Sequence, residues 1–243
     1  MPAGLNPRAL LLLVAAVAGS AVTARLGLWQ LDRGHQKDAV QAELDSRRVL
    51  PPLPAAELAR TEAQAKGQHW RAIEIEGRWV RQHTVYLDNR PMNGHAGFLV
   101  VTPLALPDGS AVAVQRGWLP RDPADRTKVQ APTLPEGVVR LGGRIAPPPS
   151  QLYEIGTPVG GPIRQNLDLA AWAAEVGQPL RPLSIVQEEG PLTAADGLGR
   201  QWPRPAADVA KHYGYAFQWF AFSALIAGLY VWFQLIRPRR PGR

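Results

Sequence analysis

From Tyr213 to Ile236 the chain carries no charged residue, and this run is long enough to cross a bilayer. Aromatic residues mark both of its ends: Tyr213, Tyr215, Trp219 and Phe220 at one, Tyr230, Trp232 and Phe233 at the other. That is the belt pattern of a spanning helix, whose amphipathic rings sit at headgroup level. The other reading, a buried core helix, fits poorly with the length, the absence of charge and the arginines at 237, 239, 240 and 243 that follow.

A second apolar run lies near the other end of the chain. It starts at Ala9 and Leu10, behind Arg8, and continues to Ala24. Its uncharged core, about 16 residues, is shorter than the roughly 20 that a span needs. Beyond Arg25, however, Leu26, Leu28, Trp29 and Leu31 extend the apolar character. Arg25 can snorkel to the headgroups while Trp29 sits in the interfacial belt. The rival reading is a cleavable signal peptide with Val22-Thr23-Ala24 as its small-residue site.

The positive-inside rule places the arginine tail in the cytoplasm, and Arg8 places the other end there as well. The expected organisation is a transmembrane helix at 9–28, a periplasmic β-rich domain at 29–212, a second transmembrane helix at 213–236 and a basic cytoplasmic tail at 237–243. The net charge of +7 fits this layout. No acidic residue precedes Asp32 or follows Asp208, and between Arg25 and His212 acidic and basic residues nearly balance. The excess sits beside the membrane segments, so the folded part lacks the basic stripe of a nucleic-acid binder. A mean hydropathy of −0.15 argues against a many-span transporter.

The middle of the chain changes period. Residues 31–49 are rich in helix formers and continue the first span outward until Pro51, Pro52 and Pro54 stop it. Pro54 to Lys66 reads as a short helix ending at Gly67. Ile73 and Ile75 alternate with Glu74 and Glu76, as in a half-buried strand. Further strands are expected at 84–87, 98–104, 111–118, 138–145 and 183–186. The pair around Pro107-Asp108-Gly109-Ser110 is the clearest hairpin. Asn166 or Asp168 can cap a short helix through Val176. The fold class expected is an α+β membrane protein: two terminal transmembrane helices flanking a β-rich antiparallel extracytoplasmic domain with short helices.

Catalytic signatures are missing. There is no cysteine, hence no thiolate nucleophile, disulfide or thiolate metal site. No G-x-S-x-G turn and no phosphate-binding glycine loop occurs. The five histidines, His35, His69, His83, His95 and His212, form no metal-ligand spacing. His212 is unusual in position, standing directly before the second apolar run. Tyr215 and Trp219 follow it at helical spacings of three and seven. By position alone it reads as an interfacial anchor, with haem-iron ligation as the sharper alternative. Trp29 reads as an interfacial anchor, Asp88-Asn89-Arg90 as a turn with a solvated arginine, and Arg116 and Trp118 as strand residues with Trp118 in the core.

Four segments, in order, resemble the surfeit-locus-one family of cytochrome c oxidase assembly proteins. They are Leu26-Gly27-Leu28-Trp29-Gln30-Leu31-Asp32-Arg33 with Lys37, and Leu87-Asp88-Asn89-Arg90 with Gly94 and residues 97–104. Val112 to Pro120, with Arg116-Gly117-Trp118, is the third, and His212 to Phe220 the fourth. Each is weak alone; four in sequence between two spans are specific, and the likeness runs from about Leu26 to Phe233. Gln115 stands where the family often has asparagine, and residues 207–211 lack an asparagine often found before the histidine.

The resemblance implies a non-enzymatic assembly factor in the cell inner membrane that helps haem A reach subunit I of cytochrome c oxidase. Its implied partners are that subunit, haem A synthase and the lipid bilayer. The implied haem-iron ligand is His212. Trp29, Tyr215 and Trp219 would then pack on the macrocycle, and Arg25 or Lys211 would pair with the propionates. The alternative is an interaction scaffold that steadies an oxidase intermediate without binding haem.

Overall fold

Both apolar runs fold as long helices. In the computed structural model, α1 spans Pro7–Arg48, 42 residues, and α4 spans Val209–Tyr230 before passing into a wider π-helical turn at Val231–Ile236. The structure describes residues 7–125, 127–153, 161–191, 193–194, 196–202 and 209–237. Of the expected basic tail, only Arg237 falls among them; its guanidinium lies 5.7 Å from the Phe233 ring centre. As the prolines predict, α1 stops before Pro51. Both helices are long and apolar enough to cross a membrane. Apolar side chains such as Leu11, Val14, Val17, Phe217 and Leu225 stand exposed on them.

The chain divides into two compact units, one made of Met1–Glu43 with Arg204–Arg243 and the other of Leu44–Pro203. In the first, α1 and α4 pack antiparallel. Covered residues on α1 recur at Ala16, Ser20, Thr23, Gly27, Gln30 and Gly34, steps of four and three that mark a packing seam. Gly27 and Gly34 are notches in it. A Cβ at Gly27 would come within 2.9 Å of the Phe220 ring, and one at Gly34 within 3.2 Å of the Tyr213 ring. Deeper along the pair, Ser223 Oγ donates to Ser20 O at 2.9 Å and Ser20 Oγ donates back to Ser223 O at 3.4 Å.

The second unit is a seven-stranded sheet in the order β1-β5-β7-β4-β3-β2-β6. The strands are β1 (Ala72–Trp79), β2 (Val85–Leu87), β3 (Gly97–Ala105), β4 (Ala111–Pro120), β5 (Val138–Ala146), β6 (Ile163–Arg164) and β7 (Leu180–Gln187). β1 also pairs with β3 through Arg78 and Trp79, so five strands close into a barrel that β2 and β6 extend. Gly77 permits the closure: a Cβ there would meet Ala105 O at 2.5 Å. The alternation expected of β1 is present, with Ile73 and Ile75 buried and Glu74 and Glu76 exposed.

Ile73, Ile75, Leu104, Val112, Val114, Leu141, Leu183 and Ile185 form the barrel's apolar core. Leu58 and Ala59, directly after a short 3-10 turn (Ala55–Glu57), and Ala65 of α2 (Glu62–Gln68) join it. Outside the barrel, α3 (Leu169–Val176) packs the fully buried Trp172 against Val85, Leu87, Val101 and Ala113.

Three expectations need correction. The sheet is not purely antiparallel: β4–β7 and β2–β6 pair in parallel. Tight turns force antiparallel neighbours, but β7 reaches β4 only after a crossover through β5 and α3, which leaves its direction free. The helix expected from Pro54 to Lys66 is broken in two, because Thr61 and Gln64 form a capping box that starts α2 afresh. Gly67 lies within α2 rather than ending it. The two-residue β6 carries no periodic signal and was not expected.

Candidate functional site

The start of α4 is where the sequence concentrates its chemistry. His212 lies in the helix's first turn, half-buried, and its Nδ1 is 2.8 Å from Gln30 Oε1 on α1. In the tautomer whose Nδ1–H donates to this oxygen, the neutral ring presents its lone pair at Nε2. One residue on, Tyr213 Oη donates to Asp38 Oδ2 at 2.5 Å, and its ring lies 6.0 Å from that of His35. Ala216 is buried behind these groups. His212 and Tyr213 therefore act as polar rungs that set the register of the two helices.

The other expected site residues fall into separate groups. Trp219 is half-buried on α4 and meets Phe222 edge-on at 6.0 Å. Tyr215 is 51% exposed, and Lys211 is exposed on the same helix. Arg25 and Trp29 come together with Leu26, Leu28 and Asp32 around an open cavity of about 570 Å³. Trp29 is 56% exposed. At 3.6 residues per turn, Arg25 and Trp29 lie about half a turn from Gly27 and Gly34, which face α4. The structure thus joins His212 to Gln30 across the seam and gathers Arg25 and Trp29 on the opposite side of α1.

Gly27 and Gln30 stand in the first family-like segment without a role of their own, and Asp38 and Gly34 escaped the sequence reading. The seven-residue spacing of Ser20, Gly27 and Gly34 was the available signal, since small residues at one helical position let bulky partners seat against the backbone.

The barrel holds a second polar site. Arg116 is 2% exposed; it donates from Nη2 to Thr133 O at 3.1 Å and lies 3.5 Å from Asp196 Oδ2. Arg200, also buried, donates from Nη1 to Asp196 Oδ1 at 3.0 Å. Arg116 also stacks 5.4 Å from the Trp79 ring centre. Arg90, expected to be solvated, is buried: Nη1 donates to Ser150 Oγ at 3.0 Å and Nη2 to Gln165 O at 2.9 Å. A turn arginine reads as solvated from sequence because its acceptors lie 60 and 75 residues away. Trp118 is half-buried rather than in the core, with its indole Nε1 donating to Arg90 O at 2.7 Å.

Among the described residues no cluster of three or more His, Asp or Glu is placed to hold a metal ion.

The sequence model of the SURF1 family matches residues 17–224 of this chain. The chain belongs to the SURF1 family. Surfeit locus protein 1 of Rattus norvegicus is 27% identical over 240 residues, which cover 89% of this chain and 73% of that protein. A SURF1-like protein of Rickettsia bellii is 22% identical over 210 residues, covering 84% and 83%. Cytochrome oxidase assembly protein SHY1 of Saccharomyces cerevisiae is 25% identical over 95 residues, covering 39% and 24%. The resemblance carried by the four segments is thereby confirmed.

The SURF1 match takes in most of both helices and the whole barrel, and in the structure two of its central segments are joined. Asp88, from the turn after β2, pairs with Arg121 beyond β4. Trp118 of β4 bonds the Arg90 carbonyl of that same turn. Two stretches some thirty residues apart are locked side by side through their polar groups.

Proposed function

We propose that this SURF1-family chain is a two-pass inner-membrane protein that assists cytochrome c oxidase assembly. Membership of the family, with a relative named for oxidase assembly, carries this reading. Both termini lie in the cytoplasm and the barrel in the periplasm, which follows from Arg8 and the arginines after Ile236. Apolar side chains exposed along α1 and α4 support the membrane placement, because a soluble protein does not leave such a surface wet.

In this reading the cargo is haem A, passed toward subunit I with haem A synthase as the supplier. The donor set at His212 fits an iron ligand. Gln30 holds Nδ1, which orients the ring and leaves Nε2 as the free lone pair, the arrangement usual for metal-bound imidazole. Tyr215 and Trp219 offer aromatic surface on the same helix, Trp29 offers it on α1, and Arg25 and Lys211 offer cations for propionates. The protein performs no bond chemistry; it binds, orients and releases.

The test is purification from membranes in mild detergent, with haem extraction and partner identification on the same sample. Haem A should accompany the parent protein and fall at least about tenfold in His212→Ala, an axial ligand lost. In Gln30→Ala the haem should remain but bind about tenfold more weakly, since only the ring's orientation is lost. Unchanged haem content in His212→Ala removes that residue from the site.

One observation favours a second reading. Among the described residues, His212 does not line the cavity formed by Arg25 and Trp29, so the expected haem-contacting residues are not gathered in that one concavity. A scaffold that steadies an oxidase intermediate needs no such concavity. Haem-free protein that restores oxidase assembly in a deletion strain would establish it.

A further inference from the structure

Among the described residues, one buried charge cluster of the barrel does not balance. Arg116 and Arg200 turn to the same carboxylate, Asp196, and all three side chains are at most 4% exposed. One carboxylate cannot neutralise two guanidiniums, so a positive charge is left where desolvation is costly. Arg116 Nε and Nη1 and Arg200 Nε have no hydrogen-bond partner among the described residues. Burial pushes the Arg116 pKa down to about 10 against the opposing pull of Asp196.

Beside this charge lies a cavity of about 350 Å³, lined by Arg81, Thr84, Tyr86, Arg116 and residues 131–134. Arg81 is held at its edge by donating from Nη2 to Leu134 O at 2.7 Å. Its ionic partner, Glu136, is 3.5 Å away with a side chain 89% exposed, so that pair contributes little and leaves Arg81 able to engage a ligand. Tyr86 is buried, which raises its phenol pKa and keeps the hydroxyl a donor at neutral pH. The lining thus contains two cations, a phenol and two threonines, and no carboxylate among the described residues.

We propose that this cavity is an oxyanion site that takes the carboxylate or phosphate group of a small organic molecule. Arg116 at the inner wall supplies the uncompensated charge, while Arg81 and the Tyr86 hydroxyl supply hydrogen bonds. The volume suits a small metabolite and lies at the low end of ligand pockets. The site lies wholly in the barrel unit and does not rest on the oxidase reading.

Titration calorimetry on the full-length protein in detergent and chloride-free buffer tests it, with inorganic phosphate and succinate as separate probes. At least one probe should bind saturably at one site. Arg81→Gln and Tyr86→Phe, both at the cavity wall, should each weaken that binding about tenfold, as expected for one charge-assisted hydrogen bond. Tighter phosphate binding identifies a phosphate ester as the natural group; tighter succinate binding identifies a carboxylate. Absence of saturable binding with both probes, or affinities unchanged in both variants, overturns the proposal. Circular dichroism of the two variants, matching the parent, shows that any loss is not unfolding.

Discussion

The helix pair and the barrel hold together in different ways. The pair has one buried helical side chain on α4, Ala216, and relies on glycine notches and a few polar rungs. The barrel has a continuous apolar core and keeps its charges buried in shared networks. In an apolar surrounding there is little hydrophobic force between helices, so shape and hydrogen bonds decide their register. In the barrel unit apolar burial dominates, and it can carry the cost of desolvated arginines.

That contrast predicts the ranking of substitutions. The largest effect is expected from Asp196→Asn, which leaves Arg116 and Arg200 without their shared anion. It should cost about 3–5 kcal/mol and lower the urea midpoint of the barrel while the helices keep their far-ultraviolet signal. An unchanged midpoint would mean that the cluster is not electrostatically closed.

Gly27→Val attacks the other region. Its Cβ would stand 2.9 Å from the Phe220 ring, so the ring must move or the helices must part, at about 1–3 kcal/mol. Because the natural chain has no cysteine, a Ser20→Cys, Ser223→Cys pair reports the register directly by cross-linking. Adding Gly27→Val to that pair should reduce the yield; an equal yield would show that the notch is not needed.

A pH effect should appear in the barrel. The Ser110 hydroxyl, with the Arg181 and Arg60 guanidiniums, holds the Asp108 carboxyl below the usual carboxylate range. A depressed folded pKa means stability that is present above the unfolded value and is lost as pH falls through the folded one. Asp108 is about a third exposed, so the loss should be no more than about 1 kcal/mol. Asp108→Asn should flatten the acid limb of the stability curve, and a limb of unchanged slope would assign it to another carboxylate.

The smallest effect is expected from Ser223→Ala. It removes one Oγ bond to Ser20 O in the helix pair, worth about 0.6 kcal/mol in a membrane setting. Cross-linking between other seam positions should barely change. A large loss would mean that the rungs, not the notches, hold the pair.

Local structure was legible wherever it is written within a short stretch. The Asp168 cap is an example: its carboxylate accepts from the Ala170 and Ala171 amides and starts α3 where residue type predicts. The β3–β4 hairpin is another, with Leu104 opposite Val112 across the Asp108-Gly109 turn. The ends of α1 and the alternation in β1 follow for the same reason: proline geometry and side-chain period act on neighbours. The candidate site was half legible. Residue type and position singled out His212, but Gln30, which orients its ring, lies 182 residues away.

By itself the sequence determined two apolar helices, a β-rich middle and the family likeness, because hydrophobic period, capping and motif order are properties of contiguous residues. Only the tertiary structure decided that β4 and β7 run parallel, that His212 meets Gln30, and that Arg90 and Arg116 are buried. Each of those depends on groups far apart in the chain, and the free energy that brings them together comes from core burial and helix packing rather than from any local preference.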